Sequence, residues 1–180
     1  MVVVTMYAEA PEELQLTLEG IAENLVHMCA DRPDAWREVV VVVVSDGIEK
    51  INNATFRMAE TLGIARQGMI YQAIELGLVH RESVQVRRRK MWSAGTLVNW
   101  ADVWLLCCLV QMHTFSYAAQ LQPSSDKLKR RYGQRYPPMQ TMFCVKEHNG
   151  GKLDSHKWFF DAYCAQLNPT YVVVRGVLFH

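Results

Sequence analysis

Glu38-Val39-Val40-Val41-Val42-Val43-Val44-Ser45-Asp46-Gly47 decides the fold. Six valines in a row show no polar alternation, so both faces of the segment need burial. β-branched residues buried on both sides mark a central strand with helices above and below, as in α/β proteins. The run breaks into Ser45-Asp46-Gly47. A carboxylate at the carboxyl end of a buried parallel strand points toward the crevice where such sheets hold ligands. Asp46 is therefore a binding group, or it makes the turn or caps the next helix. The residues alone leave these readings open.

Upstream, Met1 to Tyr7 reads as another buried strand, one that is cropped at its start or lies at the sheet centre. Pro11 opens a helix, with Glu12 and Glu13 suited to the positive end of its dipole. Leu14, Leu18, Ile21, Leu25 and Met28 recur at helical spacing, and Asp31-Arg32-Pro33-Asp34 ends the pattern. Downstream of the valines, Asn53 is expected to cap a helix through Phe56, Met58, Ala59 and Leu62, stopped by Gly63. A further helical pattern holds Met69, Ile70, Ala73 and Ile74, up to Gly77. Strand, helix, strand, helix implies a doubly wound sheet.

His80 to Leu109 breaks this order. It carries Arg87-Arg88-Arg89-Lys90 beside Trp92, Trp100 and Trp104. Such a cluster suits RNA or an acidic membrane face, or it is a solvated loop beside a short apolar helix. Val110 to Tyr117 reads as a third strand and Ser124 to Gly133 as a charged, exposed loop. Tyr136-Pro137-Pro138 leads into a fourth strand ending in Met142-Phe143-Cys144-Val145. There follow Lys146-Glu147-His148-Asn149-Gly150-Gly151-Lys152-Leu153-Asp154-Ser155-His156-Lys157-Trp158-Phe159-Phe160. This is a glycine turn carrying a cation, then a helix capped by Asp154 or Ser155, with Trp158, Phe159, Ala162 and Tyr163 on one side. Bare N–H groups at such a start, with Lys152 beside them, can receive an anion. An ordinary connection with a solvated lysine has the same pattern. Asn168-Pro169 turns the chain into a fifth strand, Tyr171 to Val174.

The 180 residues suffice for one domain with a real core, half of them hydrophobic. The net charge of +1, with 18 acidic residues, argues against a nucleic-acid partner. Cys29, Cys107, Cys108, Cys144 and Cys164 form no C-x-x-C pair and read as free thiols of a reducing compartment. No signal-peptide pattern is visible, and the run Val103 to Val110 is far shorter than the roughly 20 residues needed to cross a bilayer. By itself the chain reads as soluble.

Several blocks together resemble the chitin synthases, inverting family-two glycosyltransferases with a GT-A fold. Val4-Thr5-Met6-Tyr7-Ala8-Glu9 is similar to that family's V-T-M-Y-N-E, and Trp36 to Gly47 to its W-x-x-x-V-x-x-V-S-D-G. Pro138 to Phe160 is similar to its P-x-Q-x-x-F-x-x-K-E-x-N-x-x-K-x-x-S-H-x-W-F-F, and Leu167-Asn168-Pro169 continues it. The resemblance covers most of residues 1–79 and 110–174. It implies an α/β fold, a partial GT-A (nucleotide-diphospho-sugar transferase-like) domain over 1–180. Its mainly parallel sheet is flanked by helices, with 80–109 an atypical insertion and 175–180 an atypical tail.

It also implies donor-binding residues. Thr5, Tyr7 and Glu9 would line a uridine pocket, Tyr7 stacking on the uracil and Glu9 accepting from its ring N–H. Asp46 would hold the nucleoside, and Lys152 would sit near the diphosphate. The family transfers N-acetylglucosamine from UDP-GlcNAc to the 4-hydroxyl of a growing chitin chain at the plasma membrane. A divalent metal (Mg or Mn) neutralises the leaving UDP, and an Asp takes the acceptor proton. The departures are specific. Ala8 stands for the family's Asn, Ile48 and Lys157 for arginines, and Ser116 for a Glu. Where the family has a metal-engaging D-V-G, Arg175 to His180 holds no acidic residue. No catalytic residue is assigned, and the chain alone is expected to turn over no sugar. The alternative is a non-catalytic UDP-sugar-binding module or a non-functional remnant.

Overall fold

The computed structural model describes residues 1–47, 50–65, 112–146 and 149–176, with the backbone alone for 112–117. The expected helix around Met69 to Ile74, the segment His80 to Leu109, Ile48 and the tail beyond Gly176 lie outside the described residues.

Five strands form one sheet: β1 (Val2–Met6), β2 (Val40–Ser45), β3 (Met112–Ala119), β4 (Met139–Lys146) and β5 (Val173–Gly176). Their spatial order is β3-β4-β2-β1-β5. All neighbours are parallel except β3, which runs antiparallel to β4. The valine run is the central strand, as the sequence requires, and Val41 to Val44 are fully buried. Successive residues point to opposite faces. Val41 and Val43 join Val4, Met6 and Phe143 under α1 (Pro11–Asp31) and α2 (Asn53–Thr61). Val42 and Val44 join Val3, Met142 and Cys144 under Phe159 and Tyr163 on the other face. The expected mainly parallel sheet with helices on both faces is thus the observed architecture.

Helix α1 begins at Pro11, where Glu13 Oε2 accepts from Ala10 N at 3.0 Å. Leu14, Leu18, Ile21 and Leu25 are buried, but Met28, in the last turn, is 40% exposed. The cap of α2 is Asn52, one residue before the expected Asn53; its side chain accepts from Ala54 N at 2.9 Å.

Three expectations are corrected. The segment Ser124 to Gly133 is not a loop but contains a helix, α3 (Asp126–Tyr132). Ser125 caps it by accepting from Leu128 N, and Gly133 closes it at φ 85°. Tyr132 anchors it to α1, donating to Glu23 at 3.2 Å with its ring edge-on to His27. Neither Asp154 nor Ser155 caps the last helix. Helix α4 (Lys152–Trp158) starts at Lys152 after Gly151, so both residues lie inside its first turns and turn toward the sheet. A π-helical stretch, Phe159–Cys164, and a final turn, Ala165–Leu167, continue it until Asn168 enters the left-handed region. The fifth strand is displaced two residues from Tyr171–Val174. Its ladder begins with Val173 opposite Val2, while Tyr171 offers its carbonyl to the Met1 amino group at 2.8 Å.

Cys29, Cys144 and Cys164 form no disulfide among the described residues. No helix among the described residues is long and apolar enough to cross a membrane.

Candidate functional site

Four parallel strands end along one edge of the sheet, at Met6, Ser45, Lys146 and Gly176. The loops that leave this edge surround a cavity of about 310 Å³. Thr5, Tyr7, Glu9, Asp46 and Lys152, separated by up to 147 positions in sequence (152 − 5), all line it. Ser155 and Gly176 complete the wall beside Lys152.

The loop after β1 is fixed from two sides. The Glu9 carboxylate accepts from Tyr7 N, and the Glu9 carbonyl accepts from the buried hydroxyl of Thr55 on α2 at 2.6 Å. Glu9 is therefore buried, while the Tyr7 ring stands 38% exposed at the rim. Thr5 is buried, and its Oγ1 has no partner among the described residues.

Beneath the cavity lies a charge cluster that the sequence reading missed. Lys146, the last residue of β4, is 3% exposed. Its Nζ lies 2.7 Å from Asp46 Oδ1, 2.6 Å from Asp154 Oδ2 and 3.4 Å from Ser155 Oγ. The same Asp46 oxygen accepts from Gly150 N at 3.0 Å. Asp46 thus lines the cavity while tying the end of β2 to β4 and to the glycine turn. Gly47 makes this junction possible: its φ is 100°, and a Cβ there would lie 3.1 Å from Asn149 N. The signal for Lys146 was present. It is a charged residue at the carboxyl end of a buried strand, the same logic that singled out Asp46.

His156, one turn beyond Lys152, has its imidazole pKa pushed down, first by burial and then by the Lys152 charge. Its Nε2 is buried without a partner among the described residues. The unfolded chain takes up a proton near pH 6.5 where the folded chain resists it. This contribution to stability is therefore complete above about pH 6.5 and is lost as pH falls below it. Thermal melts between pH 5 and 8 should show that decline, and His156→Gln should flatten it. An unchanged profile would assign the decline to other groups.

A family model for a chitin synthase-like glycosyltransferase domain matches residues 1–83 and 108–177. Chitin synthase 2 of Rhizopus oligosporus is 29% identical over 98% of this chain and 18% of its own length. Chitin synthase 1 of Fusarium oxysporum f. sp. lycopersici is 32% identical over 96% of this chain and 16% of its own. Chitin synthase 1 of Phytophthora sojae is 27% identical over 98% and 16%. The chain spans less than a fifth of the curated relatives it matches.

Proposed function

The chain belongs to the family of chitin synthase-like glycosyltransferase domains, and on that premise we propose that it forms the donor-binding part of a chitin synthase catalytic domain. The substrate is UDP-GlcNAc. The reaction of the whole enzyme moves N-acetylglucosamine onto the 4-hydroxyl of a growing β-1,4-linked chain. The observation that carries this reading is the convergence of Thr5, Tyr7, Glu9, Asp46 and Lys152 on one cavity of nucleotide size.

In this reading Tyr7 stacks on the uracil, its exposed ring already set at the rim. The Asp46 and Glu9 carboxylates face the nucleoside, and Lys152 approaches the diphosphate. Inverting transfer breaks the bond between the anomeric carbon and UDP as the acceptor oxygen attacks. The described residues contribute by holding the leaving group and balancing its charge. Acceptor binding, the base and attachment to the plasma membrane are roles for other parts of such an enzyme.

The family implies a divalent metal at the diphosphate. The donor set does not fit one. Asp46 Oδ1 and Asp154 Oδ2 are both engaged by Lys146, and Glu9 is engaged by Tyr7 N. No group of three His, Cys, Asp or Glu side chains among the described residues could hold an ion.

A second reading, binding without turnover, draws on the same engaged carboxylates. Calorimetry with uridine tests the pocket itself. Tyr7→Ala removes a stacking platform worth about 1–3 kcal/mol per base, so uridine affinity should fall about tenfold or more with little change in melting temperature. Equal uridine binding by wild type and variant would remove the stacking role. Absence of uridine and UDP binding would remove the reading. Assay of sugar transfer from UDP-GlcNAc then separates an enzyme part from a binding module.

A further inference from the structure

We propose that the cavity holds a diphosphate with the Lys152 ammonium as its counter-charge, and that a divalent cation is not required. The inference rests on the nucleotide-binding reading above and specifies how its anionic end is met.

Position 176 carries the argument. Gly176 is the last residue of β5, paired with Thr5, and it lines the cavity. A Cβ built there would lie 2.6 Å from Lys152 Nζ and 3.4 Å from Lys152 Cε. The ammonium occupies the space that any side chain at 176 would need. A carboxylate in that place would meet the lysine before it met a metal. Lys152 makes no ion pair among the described residues, so its charge is available to a ligand.

A second observation points to the same ligand. The buried Thr5 hydroxyl has no partner among the described residues, and Thr5 lines the same cavity. An orphaned hydroxyl is costly unless something completes its hydrogen bonding, and a phosphate oxygen is an acceptor it can serve. Charge-assisted bonds from an ammonium to phosphate are among the stronger polar contacts.

The acidic groups nearby work against an ion. Drawing Asp46 or Asp154 onto a cation would take from the buried Lys146 ammonium one of its two carboxylate partners, and drawing both would leave it uncompensated. Lys152 would also repel any cation placed beside it. The Lys152 ammonium, on a flexible stem, thus fills the flank of Gly176 and puts a positive charge on this wall of the cavity.

The test is calorimetry of the full chain with uridine and with UDP, each in EDTA and in magnesium. The expected result is that UDP binds at least about tenfold tighter than uridine in EDTA, the scale of one charge-assisted contact, and that magnesium leaves this advantage unchanged. Lys152→Met should erase the advantage while uridine still binds, which also reports that the variant is folded. Gly176→Asp should erase it in EDTA as well, because the new carboxylate captures the ammonium. An advantage that appears only with magnesium overturns the inference. So does UDP binding no tighter than uridine in either condition, which leaves the nucleoside pocket intact. Failure of both ligands overturns the underlying reading and this inference with it.

Discussion

Lys146→Met is expected to lower the unfolding free energy by about 3–5 kcal/mol, the usual cost of removing one partner from a buried ion pair. The ammonium it deletes is 3% exposed and lies within 2.7 Å of two carboxylates. Methionine has a similar reach, so packing is largely kept and the loss is electrostatic. The Asp46 side chain would retain only the Gly150 amide among its observed partners, and a buried carboxylate without its counter-charge must recruit another donor or break out to water. Either outcome loosens the junction between β2, β4 and the glycine turn, so nucleotide binding should be lost together with stability. Urea titration checks this: the midpoint should fall sharply while the slope stays near the wild-type value. Replacing Asp46 and Lys146 together, by Asn and Met, should cost clearly less than the sum of the single changes, because the carboxylate left behind, Asp154, is 40% exposed at its side chain and can turn to water. A single-variant loss below about 1 kcal/mol would mean that the cluster behaves like an exposed pair.

The second large effect should leave the cavity untouched. Glu19 on α1 is 5% exposed. It accepts from Ser124 N at 2.7 Å, Ser124 Oγ at 2.6 Å and Tyr136 OH at 3.2 Å. Burial and then the Glu19 charge hold the Tyr136 hydroxyl protonated, far above the ordinary tyrosine range. Glu19→Ala removes the acceptor common to all three donors. Ser124 is exposed and can turn to water, but Tyr136 is 1% exposed and cannot. An orphaned buried donor costs about 1–3 kcal/mol, and the void left under α1 adds to it, so a loss of about 3 kcal/mol is expected. These residues join the sheet at the start of β4, the end opposite the cavity. Below its melting point the variant should therefore bind UDP as wild type does. Weakened binding would show that the two ends of the sheet are coupled.

The central layer was legible in the sequence because one physical demand, burial on both faces, leaves few arrangements for Val39 to Val44. Pro11, the apolar spacing from Leu14 to Leu25 and the Asn168-Pro169 turn were legible for similar local reasons. The helix Asp126–Tyr132 was hidden by its charge. Lys127, Lys129, Arg130 and Arg131 suggested a solvated loop. The decisive signals were the Ser125 cap, Gly133 and the single docking residue Tyr132. Asp154 and Ser155 misled differently: both are good caps by type, but the buried Lys146 outbids a helix terminus for their oxygens. Among the five proposed donor residues, Asp46 and Lys152 were marked by position, at a strand end and a helix start, while Thr5, Tyr7 and Glu9 were named from motif resemblance. Their approach to one another depends on the parallel register of β1, β2 and β5, which no local pattern specifies. Gly176 carried no signal at all, since its meaning lies in the ammonium that fills its empty flank.

Strand β2 has a further consequence. Its valines are dealt alternately to two cores, Val41 and Val43 to one and Val42 and Val44 to the other. The strand is a party wall, and neither room can be dismantled while the other stands. Melting of either helical layer must therefore drag the other with it as one cooperative event. Asp46 is fastened to the end of that wall, so the binding loops inherit the lifetime of the whole interior, not the brief one of surface turns.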